Sequence, residues 1–189
     1  MEANEKVQEI LSDAKKRMEK SVEDLAHALS QIRSGRATPA LVEDIRVEVY
    51  GQTMPLNQVA TINVPEARLI TIDVWDKSNL QSVEKAIQKS GRDLNPQNDG
   101  TIIRIQMPEL TEERRKELVK VAKQKVEDHK VAIRNIRRDA NDKLKKLKNE
   151  GMSEDDLHHY TDEVQKLTDT YVGKMDAMFK RKEEEILTI

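Results

Sequence analysis

The spacing of apolar residues changes along this chain, and that change constrains the fold more than any other feature of the sequence. From Val7 to Ile32, apolar side chains recur every three or four residues, which places them on one face of a helix. The same spacing returns from Leu118 to Leu147 and from Leu157 to Met178. Between them, from Val42 to Ile105, apolar and polar residues alternate, as is typical of β-strands. The pattern predicts long helices towards both ends and a sheet in the middle.

The helical segments carry boundary signals. The first helix is predicted to end near Arg33-Ser34-Gly35, since glycine tolerates the left-handed conformation that stops a helix. Thr111 and Ser153 can cap the second and third helices, and acidic residues follow each cap, where the helix dipole favours negative charge. The second helix would run from Glu112 to Asn149, about 57 Å at about 1.5 Å per residue. The three apolar faces can be buried against one another, which predicts a three-helix bundle.

The middle segment is predicted to form a separate small domain. Its apolar alternation gives strands around Val47, Val59–Val64, Ile72 and Thr101–Ile105, and Ser78 can cap a short helix. The predicted fold class is therefore α+β: an elongated three-helix bundle, residues 1–34 and 110–189, with an inserted β/α/β domain, residues 35–109. Two chain passages, near 33–37 and 106–109, would act as a hinge. The hinge residues are Arg33, Ser34, Gly35, Arg36, Ala37, Gln106, Met107 and Pro108.

Composition excludes several classes of protein. Charged residues make up 36% of the 189 residues and aromatic residues only 3%, which is typical of long, solvated helices. The absence of cysteine excludes a disulfide framework, a thiolate nucleophile and a cysteine-ligated metal. The acidic start, Met1 to Glu5, has no apolar stretch behind it, and no segment approaches the roughly 20 apolar residues of a membrane span. We therefore expect a cytoplasmic protein without a membrane partner.

The net charge of −2 hides a strongly basic second helix. Between Glu112 and Asn149 there are 14 Lys or Arg and 7 Asp or Glu residues, so this segment carries +7. On a helical wheel many of its cations lie on one side, beside the apolar stripe, with Glu127 as the one acid among them. Such a ridge attracts phosphate groups, but it is equally typical of a solvated helix surface. We call this set the basic face: Lys116, Lys120, Lys123, Lys130, Arg134, Arg137 and Arg138.

Signatures of catalysis and of metal binding are weak. His158 and His159 are adjacent and would point about 100° apart on a helix, which disfavours a shared metal. Gly173-Lys174 lacks the preceding glycine of a phosphate-binding loop, and His129 falls on the apolar side of its helix. We therefore predict no catalytic residue, no metal and no cofactor. In the middle segment, Trp75 is expected in the core.

Several segments resemble the family of bacterial ribosome recycling factors. The three longest, in chain order, are Ile32–Pro39 (IRSGRATP), Pro108–Lys116 (PELTEERRK) and Val131–Asp142 (VAIRNIRRDAND). Leu94–Pro96 and Val164–Asp169 are similar as well, so the resemblance covers essentially the whole chain.

The resemblance implies an L-shaped, tRNA-like monomer with the inserted domain at a flexible elbow. Members of such a family bind the post-termination ribosome on the large subunit, contacting 23S rRNA through the bundle. With elongation factor G and GTP they split the subunits and release ribosomes from mRNA for a new round of translation. By position, Arg134, Arg137 and Arg138 would contact rRNA, with Lys123 and Lys130 as weaker additions. The protein would not be an enzyme, because elongation factor G carries the GTPase.

Two other functions stay open from the residues alone. A coiled-coil scaffold or holdase would bind protein clients through an exposed apolar groove. A hydrolase of unrecognised type would show GTPase or nuclease activity of its own.

Overall fold

The computed structural model of the chain describes residues 2–188 and contains helices at both ends with strands between them. The helices are α1 (Glu2–Ser30), α2 (Leu80–Lys89), α3 (Glu112–Asn149) and α4 (Glu154–Leu187). The strands are β1 (Arg46–Val49), β2 (Gln52–Pro55), β3 (Ala60–Glu66), β4 (Leu69–Val74), β5 (Pro96–Asn98) and β6 (Ile102–Gln106). The fold class is α+β, as predicted.

The chain divides into two compact units. The helical unit contains the chain up to Leu29 together with Lys120–Glu183. The sheet unit contains Ser30–Val119 and the residues from Glu184 onward. The first turns of α3 and the end of α4 thus belong to the sheet unit. The domain boundaries predicted from the sequence stay a prediction.

The helical unit buries one apolar stripe from each of its three long helices, as the periodicity predicts. Side chains join all three helix pairs: Arg17 contacts Asp139, and the Tyr171 hydroxyl donates to Glu19 at 3.0 Å. Arg137 on α3 donates to Gln165 on α4. The buried apolar residues include Val7, Ala14, Met18 and Leu25 of α1, Val126, Ile133, Ile136 and Leu144 of α3, and Val164, Tyr171 and Met175 of α4.

Two predicted helix caps are confirmed and one predicted helix end is not. The backbone N–H of Arg114 donates to Thr111 Oγ1, and that of Asp156 donates to Ser153 Oγ, both at 3.1 Å. The first helix, however, ends at Ser30, shortly before the predicted segment Arg33-Ser34-Gly35. Beyond the helix end, the Gln31 side chain donates to the Asp44 carboxylate.

The sheet unit holds a four-stranded antiparallel sheet in the order β3-β4-β6-β5, and a separate β1-β2 hairpin. Its core includes Val47 of β1, Ile72 of β4 and Ile103 of β6, all 0% exposed. The apolar side of α2, predicted as Leu80, Val83 and Ile87, is buried as well. The sequence pattern does not predict the short strands β2 and β5, because their residues show little apolar alternation.

Two local predictions in this unit are wrong. Trp75 is 61% exposed and not in the core, because Val74 faces inward and the strand alternation places the next residue on the outside. Its indole Nε1 donates to Thr61 Oγ1 at 2.7 Å. Ser78 does not cap α2; a 3-10 turn comes first, and the Asp76 carboxylate caps it by accepting the Ser78 N–H.

Candidate nucleic-acid interface

The exposed part of the basic face lies on α3. Arg134, Arg138, Lys120 and Lys123 are exposed, on the side of the helix away from its buried apolar stripe. Within residues 2–188 these four cations have no ion-pair partner. All four belong to the helical unit. Unpaired cations on one helix face create a positive potential that attracts a polyanion.

The acid nearest in sequence to Arg138 is occupied elsewhere. Asp139 accepts a hydrogen bond from Arg17 of α1 at 2.6 Å and lies 3.3 Å from the Lys143 ammonium. These bonds, that of Arg17 first, lower the pKa of Asp139 and keep it ionised. Because Arg17 and Lys143 supply its counter-charges, Asp139 does not neutralise the exposed cations. Arg134 and Arg138 are four residues apart, so they are neighbours on the helix surface.

Arg137 is half-buried between α3 and α4. Its Nη1 donates to Oε1 of Gln165 at 3.2 Å, and its Nε is buried without a hydrogen-bond partner in the described chain. The amide of Gln165 donates in turn to Asp169 Oδ1 at 2.9 Å. The side chain that accepts this hydrogen bond from Arg137 is thus a neutral amide.

Lys130 differs from the rest of the basic face because its charge is balanced within the protein. Its side chain is only 14% exposed, and Nζ lies 2.5 Å from Asp176 of α4 and 3.5 Å from Glu127. The hydrogen bond to Asp176 raises the pKa of Lys130 against the opposing effect of burial. The structure therefore places Lys130 as a cross-link between helices.

Lys116 is the one residue of the basic face that lies in the sheet unit. Its ammonium is 3.7 Å from Glu112 Oε1, one helical turn earlier, and both side chains are highly exposed. Exposed pairs of this kind contribute little free energy, so Lys116 is available to a partner.

The predicted hinge residues all lie in the sheet unit. The N–H of Ala37 donates to the Ala67 carbonyl, and that of Met107 to the Arg68 carbonyl, each at 2.7 Å. Both chain passages are therefore bonded to the turn between β3 and β4. Further bonds link Arg33 to the Pro108 carbonyl, Gln106 to the Arg68 carbonyl and Ser34 to the backbone of Arg36. Gly35 lies next to the Thr188 carbonyl. Motion at these residues stays a prediction.

The remaining polar candidates make local contacts. His129 Nδ1 lies 2.7 Å from the Lys125 carbonyl, and His159 Nε2 lies 3.2 Å from Glu163. Among the described residues, no three histidine or acidic side chains converge as metal ligands do. None of the described helices is apolar over a stretch long enough to cross a lipid bilayer.

The sequence does not indicate which residues of α4 contact the basic face. The wheel predicts which residues of α3 are exposed, but it does not predict which residue of another helix lies opposite Arg137 or Lys130. No sequence pattern marks the α4 partners Gln165, Asp169 and Asp176 as contacts of α3. The one local feature is the spacing of four residues between Gln165 and Asp169, which makes them neighbours on a helix.

The chain is therefore a two-unit α+β protein with a basic helix surface. Helices from both ends of the chain form one unit, and the segment between them forms a small unit with an antiparallel sheet. A model of the ribosome recycling factor family matches residues 25–187. The chain belongs to the ribosome recycling factor family.

Individual relatives match over almost their whole length. The ribosome-recycling factor of Shouchella clausii is 54% identical over 182 residues, which cover 96% of this chain and 98% of the relative. That of Carboxydothermus hydrogenoformans is 53% identical over 184 residues, which cover 97% and 100%.

Two solved structures of ribosome recycling factors are also similar to this chain. The solution structure of a ribosome recycling factor has a TM-score of 0.78 and 40% identity, covering 97% of this chain and 98% of that one. A second match is the T. thermophilus ribosome recycling factor in a structure with the E. coli elongation factor G bound to the E. coli post-termination complex. Its TM-score is 0.66 at 46% identity, covering 96% and 98% of the two chains.

Proposed function

We propose that this chain binds the post-termination ribosome on the large subunit and contacts 23S rRNA through the basic face of α3. With elongation factor G and GTP it splits the subunits, releasing ribosomes from mRNA for a new round of translation. The observation that carries the proposal is the set of exposed cations without counter-charges, Lys120, Lys123, Arg134 and Arg138. The complex described for the T. thermophilus relative, with elongation factor G on a post-termination complex, supports the choice of partners.

The chain acts in this proposal as a monomeric wedge and not as an enzyme. Binding energy comes from cations on phosphate groups, and GTP hydrolysis is supplied by elongation factor G. Among the described residues, most of the apolar stripe of each long helix is buried within the helical unit, which disfavours a client-binding groove and therefore a scaffold function.

The hinge belongs to the same proposal. Residues 1–34 and 110–189 anchor the protein on rRNA, while residues 35–109 respond to elongation factor G through the passages at 33–37 and 106–109. A short chemical cross-link between cysteines introduced at Gly35 and Pro108 tests this, because the chain has no other cysteine. We expect retained large-subunit binding and reduced splitting; full splitting with the cross-link in place would contradict the hinge.

The direct test is light scattering of post-termination ribosomes mixed with this protein, elongation factor G and GTP. We expect a fall in scattering that requires all three components. The double variant Arg134→Ala/Arg138→Ala should abolish or slow this fall in scattering. It should also make the slope of log binding constant against log salt concentration shallower by about 0.7 to 0.9 per lost phosphate contact.

The matched control for this test is Lys15→Ala/Lys16→Ala. It removes the same charge from α1, where both lysines are exposed. Equal losses of binding in the two double variants would show a general charge effect and would contradict the assigned interface.

A further inference from the structure

We propose that Gln165 on α4 is a positioning residue for Arg137, holding its guanidinium in place for rRNA without neutralising it. This inference rests on the function proposed above. It concerns a residue outside α3 that acts through Arg137 and need not touch the RNA itself.

The geometry joins three side chains in series. Arg137 Nη1 donates to Gln165 Oε1 at 3.2 Å, and Gln165 Nε2 donates to Asp169 Oδ1 at 2.9 Å. A carboxylate accepts hydrogen bonds and does not donate them, so Asp169 determines which way the amide faces. The amide nitrogen turns to Asp169, and its oxygen is thereby presented to Arg137.

The bond to Gln165 leaves donors on the guanidinium. The Nε of Arg137 is buried and unpartnered, and one N–H of Nη1 is used by Gln165. N–H groups remain on both terminal nitrogens, and these are the groups with which arginine contacts phosphate oxygens. A half-buried arginine also loses less conformational freedom on binding than a fully exposed one.

The chemistry of the partner decides whether a cation stays available. Lys130, on the same side of α3, is held by the carboxylate of Asp176, which cancels its charge. Arg137 is held by a neutral amide, which orients the side chain and leaves the positive charge intact. Glutamine at position 165 is therefore expected to be functionally different from glutamate, although the two side chains have nearly the same size.

The test measures large-subunit affinity, its salt dependence and the melting temperature of the full chain for Arg137→Ala, Gln165→Ala, Gln165→Glu and the double variant Arg137→Ala/Gln165→Glu. We expect Arg137→Ala and Gln165→Glu each to weaken binding about tenfold, as for loss of one charge-assisted hydrogen bond, and Gln165→Ala to weaken it less. The double variant should bind no more weakly than Arg137→Ala. Melting temperatures should stay within about 2 °C of the parent.

A matched control is Gln8→Glu. Gln8 is exposed on α1 and is not part of the basic face of α3. The substitution adds the same charge without touching Arg137. If it weakened binding as much as Gln165→Glu does, general repulsion would explain the loss and the positioning role would be wrong.

The remaining outcomes separate this inference from the proposed function. If Arg137→Ala weakens binding and both Gln165 variants bind like the parent, Gln165 does not position Arg137. If Arg137→Ala has no effect while Arg134→Ala/Arg138→Ala does, the interface stands and the inference fails. If none of these variants weakens binding, the interface itself is wrong.

Discussion

The ammonium of Lys130 on α3 and the carboxylate of Asp176 on α4 lie 2.5 Å apart, and the lysine side chain is only 14% exposed. The helical wheel alone places Lys130 among the cations of the basic face. The contact to α4 instead makes it part of the packing between helices. Lys130 and its neighbour Arg134, although close on the helix, are therefore expected to respond differently to substitution.

Replacing Lys130 with alanine should lower stability more than it lowers RNA affinity. Removing the Lys130 ammonium breaks a half-buried, hydrogen-bonded ion pair and leaves the Asp176 carboxylate without this partner. We expect this loss to cost about 1 kcal/mol of unfolding free energy. Denaturant unfolding of Lys130→Ala, Asp176→Ala and the double variant measures the coupling between the two residues. A large loss of large-subunit binding with unchanged stability would instead assign Lys130 to the RNA contact.

Asp99 should make the stability of the sheet unit depend on acid pH. The N–H groups of Ile102 and Thr101, and then the Thr101 hydroxyl, donate to its carboxylate and lower its pKa from 3.8 to about 2. Because the folded pKa lies below the unfolded one, Asp99 stabilises the fold above about pH 4, and this contribution is lost as the pH falls towards 2.

The measurement is the unfolding midpoint in denaturant at a series of pH values. Asp99→Asn should be less stable than the parent at neutral pH, and the difference should shrink between pH 4 and pH 2. A titration of the Asp99 carboxyl followed by NMR checks the cause directly. A midpoint near 3.8 would show that the turn does not stabilise the ionised form.

Substitution of two glycines by alanine should change the unfolding free energy in opposite directions. Gly151, which follows α3, has φ +119°, a conformation that alanine adopts only with strain, whereas Gly173 lies within α4. Neither would bring a new Cβ within 4 Å of another group, so backbone preference alone decides. We expect Gly151→Ala to destabilise by about 1 kcal/mol and Gly173→Ala to stabilise by about 0.5 to 1 kcal/mol. Thermal unfolding checks both; the same sign in both would contradict the assigned conformations.

Trp75 should behave as a solvent-exposed side chain. It is the one tryptophan of the chain, so intrinsic fluorescence reports on it alone. With 61% exposure, its emission should be quenched by acrylamide in the folded protein nearly as well as in the unfolded one. Trp75→Phe should change the unfolding free energy by less than about 0.5 kcal/mol. Strong protection from the quencher would return Trp75 to the core.

Most of the fold followed from local pattern. The buried residues Ile133, Ile136 and Leu144 of α3 were predicted from periodicity, because their angular positions on a helix depend only on their spacing. The caps at Thr111 and Ser153 were predicted for the same reason, since a cap acts within one turn. The strands β2 and β5 were not, because pairing with a neighbouring strand defines them and their side-chain pattern does not.

Local sequence pattern predicts where the long helices run, which face of each is apolar, and that α3 carries an excess of positive charge, because these properties depend on residues within a few turns of one another. Which cations stay free depends instead on contacts between helices. Arg134 and Arg138 remain exposed, whereas Arg137 meets Gln165 and Lys130 meets Asp176. Which residues face each other across two helices depends on how far one helix is shifted and rotated against the other, and the packing of many distant side chains sets that shift.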